Sequence, residues 1–178
     1  MEGQLRHARS PEGKALDIGC GSGKSTSTLI DMGYEVSGTD ISREAVSICT
    51  DRFGSGMFLE GSVLSLPYPD SSFDYAVAVH VLEHITDVDM HRAVSEIRRI
   101  LKPGGYLFIR DFAPGDMREG SRADSDIVYI HRSPEDILSF FDGFSVVSCE
   151  TVESRTRFGS VRCRAELLLR ENDKNSGH

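Results

Sequence analysis

Four stretches of this chain have residue types and spacings that could do chemistry. The first is Lys14–Lys24, KALDIGCGSGK, where an apolar run ends in Asp17 and Gly19, Gly21 and Gly23 follow before a helix-like segment. Glycines so spaced allow a tight turn and let the backbone approach a ligand, because no Cβ stands in the way. The helix they open presents free N–H groups to a carboxylate or phosphate. By itself such a turn is as often only a compact strand-to-helix link. The second is Asp40, seventeen positions after Gly23, placed to face the turn and accept bonds from two hydroxyls if a strand ends there. The third is His80-Val-Leu-Glu83-His84, which gathers two imidazoles and a carboxylate. The fourth is the polar insert 111–132, which ends in His131 and Arg132.

Two familiar motifs are imitated and set aside. Gly21–Ser25, GSGKS, matches the end of a phosphate-binding loop, but the glycine required five residues before Gly23 is Ile18, which reads as strand core. His80–His84 spells the inverted zinc-protease pattern H-x-x-E-H. Those ligands must stand on one long helix with a further carboxylate downstream, whereas here the motif follows directly on a buried strand. No metal is expected.

The chain has 178 residues, enough for one domain with a full core. Its composition is that of a soluble globular protein, with 39% hydrophobic and 27% charged residues. A net charge of −8 argues against a broad nucleic-acid face, which needs clustered Lys and Arg. No apolar run approaches the roughly 18 residues of a membrane span, and no signal-peptide pattern opens the chain. Cys20, Cys49, Cys149 and Cys163 form no CxxC pair, so they are expected to be small core residues of a cytoplasmic protein.

The elements that must position these groups follow from periodicity. Lys14–Gly19 is expected as the first strand. Next comes a helix with Thr26, Leu29 and Ile30 on one face, stopped at Gly33. Tyr34–Thr39 is the second strand, ending in Asp40. Ser42 caps a helix carrying Ala45, Ile48, Cys49 and Phe53 inward. Met57–Val63 holds a short third strand, and Phe73–Val79 is the near-continuous apolar run of a buried parallel strand. Met90, Ala93, Val94, Ile97 and Leu101 mark an amphipathic helix stopped by Pro103-Gly104-Gly105. Tyr106–Ile109 is the fifth strand, and Ser133-Pro134-Glu135-Asp136 a strong helix start. Phe144–Cys149 and Val161–Leu169 are the last two strands; with no crossover helix between them they must pair antiparallel. Strand–helix alternation implies an α/β, doubly wound, mostly parallel sheet of seven strands, its last strand antiparallel. One domain is expected over 1–170, with a short arm at 1–13 and a disordered tail at 171–178.

Taken together, ALDIGCGSG, TDIS at 39–42, FDYAVAVHVLEHI at 73–85 and LKPGGYLFI at 101–109 resemble the class I S-adenosylmethionine-dependent methyltransferases. The likeness is to the broad group with a D-x-G-C-G-x-G turn and a V-L-E-H segment, and it covers residues 14–112. It implies a Rossmann-like methyltransferase fold and S-adenosyl-L-methionine as cofactor. By the same resemblance, Asp17, Gly19, Cys20 and Gly21 line the methionine end and Gly23 tightens the turn. Asp40 holds the ribose and Ile41 packs on adenine. Where the family places an Asp against the adenine amino group, this chain has Ser62, so that contact is weakened or shared with Val63. His80 stands beside the transferred methyl. Related quinone-pathway O-methyltransferases place metal ligands in this segment, which would be His80, Glu83 and His84 here, although no metal is assigned.

The resemblance further implies methyl transfer to an O, N or S nucleophile of a small molecule. Alternatives are an RNA or protein methyltransferase, or a methyltransferase-like subunit acting with a partner chain. No catalytic residue announces itself; His80 and His131 are candidates on residue type alone. Only 13 residues precede the first strand, so the usual N-terminal lid helices are expected to be largely missing, and the insert 111–132 is expected to cover the cleft. It carries five acidic residues and three arginines, a net −2 that suits a small or cationic substrate. A homodimer, or a partner chain that supplies the lid, is the alternative cover.

Overall fold

The computed structural model describes residues 13–54, 57–119 and 129–172. Alternation along the chain gives β1 (Lys14–Ile18), α1 (Lys24–Asp31), β2 (Glu35–Asp40), α2 (Arg43–Phe53), β3 (Phe58–Glu60) and β4 (Phe73–Val79). A 3-10 turn at Leu82–His84 follows, then α3 (Asp87–Ile100), β5 (Leu101–Phe112), α4 (Pro134–Leu138), β6 (Phe144–Arg155) and β7 (Val161–Glu171). The seven strands lie in the order β3-β2-β1-β4-β5-β7-β6. Pairing is parallel from β3 to β5, while β7 runs antiparallel to both β5 and β6. The expected α/β doubly wound sheet is present. The strand order reverses direction between β1 and β4, and in such sheets the crevice outside the carboxyl ends at that point receives ligands.

Both faces of the sheet are covered, and the side-chain period of two divides each strand between them. On one face Leu16, Ile18, Ala76 and Ala78 pack with Met90, Val94 and Ile97 of α3. On the other, Ala15, Tyr75, Val77 and Phe108 pack with Leu29, Tyr34 and Val36. Burial of these side chains is the main favourable term holding the layers together, about 1.5–3 kcal/mol for a fully buried Leu, Ile or Phe. Ser42 caps α2 by accepting the Ala45 N–H, and Ser133 and Asp136 form a reciprocal capping box on α4.

Several expectations need correction. Ile30 and Ile48 are exposed, because Leu29 and Cys49 take the inward positions of their short helices. The third strand is only three residues long. The Pro103-Gly104-Gly105 segment does not separate helix from strand; β5 begins at Leu101 and absorbs it in a register shift against β4. β6 and β7 run longer than expected, since each supplies the other with a full ladder. Glu171 is no tail residue: it ends β7, is buried, and accepts from Arg98 Nε at 3.1 Å. The arm, apart from Gly13, and the tail beyond Asn172 lie outside the described residues. Cys20, Cys49 and Cys163 are buried free thiols, and Cys149 is half-buried.

Candidate functional site: a cleft at the carboxyl ends of β1, β2 and β4

The glycine turn folds as it does because three residues adopt left-handed backbone. Gly19, Gly21 and Gly23 have φ of 72, 48 and 79°, values that cost a residue bearing a Cβ about 1–2 kcal/mol. Space enforces two of them as well. A Cβ on Gly19 would come within 2.5 Å of Val81 Cγ2, and one on Gly23 would strike the Phe53 ring. A Cβ on Gly21 would meet nothing nearer than Gly19 O at 4.0 Å, so this glycine faces open space. Thr39 O accepts from both Gly19 N and Cys20 N, at 2.7 and 3.0 Å, and ties the turn to the end of β2.

Asp40 stands opposite. Its Oδ2 accepts from Gly21 N and its Oδ1 from Ser42 N, both at 2.9 Å. One carboxylate therefore fastens the glycine turn to the start of α2. Each oxygen keeps a second lone pair for a ligand, which fits paired hydroxyls. Beside it lies a cavity of about 440 Å³, within the size range of small-molecule sites. Of the cofactor residues expected from sequence, Gly19, Gly21, Asp40, Ile41, Ser62, Val63 and His80 line it. Ser62 Oγ accepts from Leu64 N at 3.2 Å, so this hydroxyl also shapes its own loop.

Asp17, Cys20 and Gly23 are not on the cavity wall. Asp17 is buried behind the turn, where its carboxylate accepts the Thr26 hydroxyl at 2.6 Å. Burial raises its pKa to about 6, partly opposed by the bonds from Thr26. Cys20 is buried and its thiol is pushed well up by desolvation, so it is inert filler. His131 also misses the cavity; it stacks on Phe112 with ring centroids 6.1 Å apart.

The sequence reading missed what surrounds His80. Thr39, Gly61, Val81, His84 and Ile85 also line the cavity, and beneath the wall lies a pair of buried carboxyls. Glu83 is 1% and Asp111 2% exposed. Glu83 Oε2 accepts from Phe112 N at 2.8 Å and lies 3.1 Å from His80 Nδ1. Asp111 accepts from the Val81 and Glu83 backbone N–H groups. Burial and then the Glu83 charge push the Asp111 pKa up to about 8. The 129–132 segment holds this corner down. Ile130 N donates to Glu83 O, and Arg132 donates to Leu82 O, Ile85 O and Asp87 Oδ1. No pattern in the sequence marks Asp111 as a partner of Glu83, because they are 28 residues apart and meet only across the β4–β5 pairing.

His80, Glu83 and Asp111 each bring a donor atom within 4.8 Å of the others. His80 Nδ1 and Phe112 N both meet Glu83 Oε2, an imidazole–carboxylate arrangement, while Glu83 Oε1 is buried with no hydrogen-bond partner among the described residues.

Residues 16–109 match the family model described as "Methyltransferase domain". The chain belongs to that methyltransferase family. An O-methyltransferase of Penicillium expansum is 36% identical over 103 residues, 54% of this chain and 37% of the relative. A sterol 4-C-methyltransferase of Caenorhabditis elegans is 32% identical over 102 residues, 54% of this chain and 30% of the relative. The chain thus spans well under half the length of these curated relatives. A methyltransferase from Methanosarcina mazei, described as SAM-dependent, superposes with a TM-score of 0.83 at 23% identity, covering 96% of this chain and 98% of that one. At that identity the likeness is one of fold. The glycine turn, Asp40 and the cavity between them lie together at the carboxyl ends of β1 and β2, where the sequence resemblance expects the cofactor. No helix among the described residues is long and apolar enough to cross a membrane.

Proposed function

We propose that the protein transfers the methyl group of S-adenosylmethionine to an oxygen, nitrogen or sulfur atom of a small molecule. The observation that carries this reading is the Asp40 carboxylate, set on the cavity wall across from the glycine turn. In this reading Asp40 holds the ribose hydroxyls, and Ile41, Ser62 and Val63 enclose the adenine. Gly19, Gly21 and His80 flank the methionine portion. The sulfonium supplies an electrophilic methyl with a good leaving group. The chain's own task is to align the acceptor in line with it, an effect worth up to about 7–11 kcal/mol for a well-oriented pair.

On the acceptor side stand His84, Phe112 and Tyr129, with ring centroids 4.9 Å apart for His84–Tyr129 and 5.9 Å for Phe112–Tyr129. Phe112 and Tyr129 come from the two ends of the insert 111–132, so the expected cover is read as meeting His84 of the cavity wall here. The middle of the insert lies outside the described residues. A small organic acceptor suits this aromatic wall. The net charge of −8 weighs against an RNA acceptor.

The test has two steps. Calorimetry with S-adenosylmethionine should show binding that Asp40→Ala weakens by about 10–100-fold, the loss of a charge-assisted contact of about 1.5–3 kcal/mol. Transfer of a tritiated methyl group is then screened over small-molecule, protein and RNA pools. Counts in the small-molecule pool are expected. Equal cofactor affinity in Asp40→Ala removes the ribose assignment, and counts only in protein or RNA overturn the acceptor class.

A further inference from the structure

We propose that His80 is the general base of the transfer, that Glu83 positions it, and that the acceptor is therefore a hydroxyl group. The proposal rests on the methyl-transfer reading above and deepens it.

His80 follows β4 directly and lines the cavity. Its φ is 60°, and among the described non-glycine residues only Ser71 shares a positive φ. A left-handed histidine costs energy and persists where its surroundings impose it, commonly at functional sites. Three contacts impose it here. His80 N donates to Arg110 O at 2.7 Å, the ring lies against Phe112 with centroids 4.3 Å apart, and Nδ1 meets Glu83 Oε2 at 3.1 Å. With Nδ1 committed to a carboxylate, the proton sits on Nδ1 and Nε2 keeps a lone pair. Nε2 makes no hydrogen bond among the described residues.

A purely structural role for Glu83 would need only its bond to Phe112 N, which a neutral amide could make. It would not account for a second carboxyl buried beside it. An ionised carboxylate is costly to bury, and two side by side more so. Asp111, whose pKa burial pushes to about 8, holds a proton at neutral pH. Glu83 Oε2 is then the carboxyl oxygen that His80 Nδ1 meets. The other groups around His80 do not compete for Nδ1. His84 Nε2 lies 3.8 Å from the other Glu83 oxygen. Arg118 sits over the Phe112 ring and pairs with Asp116, and Arg132 is spent on Leu82, Ile85 and Asp87. His131 stacks behind Phe112, and Asp40 is bound to Gly21 and Ser42.

The step balances as follows. The acceptor oxygen forms its bond to the methyl carbon as the carbon–sulfur bond breaks, and that electron pair leaves on sulfur as a neutral thioether. The hydroxyl proton passes to Nε2, leaving an imidazolium beside the Glu83 carboxylate. A base at this point discriminates between acceptors. An amine attacks through its free lone pair and can shed a proton afterwards to water. A carboxylate has none to lose at neutral pH. A hydroxyl is a poor nucleophile until its proton is taken, and general-base help there is worth about 10²–10⁴-fold.

The experiment compares the parent, Glu83→Gln and His80→Asn, the last chosen because Asn tolerates left-handed backbone. Long-range ¹H–¹⁵N spectra of the ligand-free protein should show His80 with its proton on Nδ1. In Glu83→Gln the side-chain oxygen still accepts from Phe112 N and from Nδ1–H, so the tautomer should be kept while the negative charge is lost. Binding of S-adenosylhomocysteine, followed by calorimetry, should stay within about threefold in Glu83→Gln, whose side chain lies beneath the cavity wall. Tritium transfer to a panel of phenols, aliphatic alcohols, amines, thiols and carboxylates should mark the hydroxyls. Its kcat should fall by about 10²–10⁴-fold in each variant, and the acid limb of the parent's pH–rate profile should vanish in His80→Asn. A parent His80 whose proton is not on Nδ1, a kcat within fivefold of the parent in either variant, or an amine or thiol as the acceptor would overturn the proposal. So would activity lost to a chelator and restored by Mg²⁺. A parent that does not bind S-adenosylhomocysteine sinks the cofactor reading instead, while the spectra still judge the His80–Glu83 pair.

Discussion

At the scale of single residues, the site is built from carboxylates given different environments. Asp40 is half-exposed and faces the cleft, whereas Asp17 is 1% exposed and turned toward α1. Asp17 has a consequence that can be measured. Its folded pKa of about 6 lies above the ordinary 3.8 because burial disfavours its charge. A raised carboxyl contributes stability below pH 4, and that contribution is lost as pH climbs to 6 and beyond, the reverse of an ion-paired carboxylate. Ionising it costs on the order of 3 kcal/mol. Asp17→Asn keeps an acceptor for the Thr26 hydroxyl and carries no charge. Its urea-unfolding free energy should therefore match the parent near pH 4 and exceed it by about 1–3 kcal/mol at pH 8. A difference that does not change with pH would show that Asp17 is not raised.

At the scale of elements, the corner made by the 3-10 turn Leu82–His84 is the joint on which the site depends. It is too short to stabilise itself and has no side-chain cap. Arg132, 47–50 residues away in sequence, adds a second donor to Leu82 O at 3.0 Å and donates to Ile85 O at 2.7 Å. Arg132→Met would fill similar volume; Leu82 O would keep the Ile85 N–H, while Ile85 O would lose its Arg132 donor, at about 1–3 kcal/mol if it stays buried. The expected loss in chemical unfolding is about 1–3 kcal/mol, with the m-value unchanged. A loss below about 0.5 kcal/mol would mean water replaces the guanidinium without cost. Periodicity in the sequence revealed the helices and strands on either side of this joint. It could not reveal the joint, because a three-residue turn has no period.

At the scale of the whole molecule, the cavity draws its walls from the loops after β1, β2, β3 and β4, so one ligand ties together half the sheet. S-adenosylmethionine at a hundred times its Kd should add about 2.7 kcal/mol by mass action. That corresponds to roughly 5–11 °C in Tm for a chain of this size. Absence of any shift, with the parent folded, would argue against a preformed cofactor site. The same architecture separates what was legible in the chain from what was not. Hydrophobic runs of period 2 and 3.6 record which face of each element is buried. Glycine and capping residues record where the chain must turn. The sheet, its antiparallel close and the Gly19–Gly21–Asp40 cleft therefore follow from residues near one another in sequence. The exposure of Ile30 and Ile48, the retreat of Asp17 behind the turn, and the meeting of Glu83 with Asp111 and Arg132 depend on packing between elements far apart in the chain. Desolvation belongs to the folded surroundings of a residue and not to its type, so the sequence could name these groups but only the tertiary structure decided which are buried and which face the cleft.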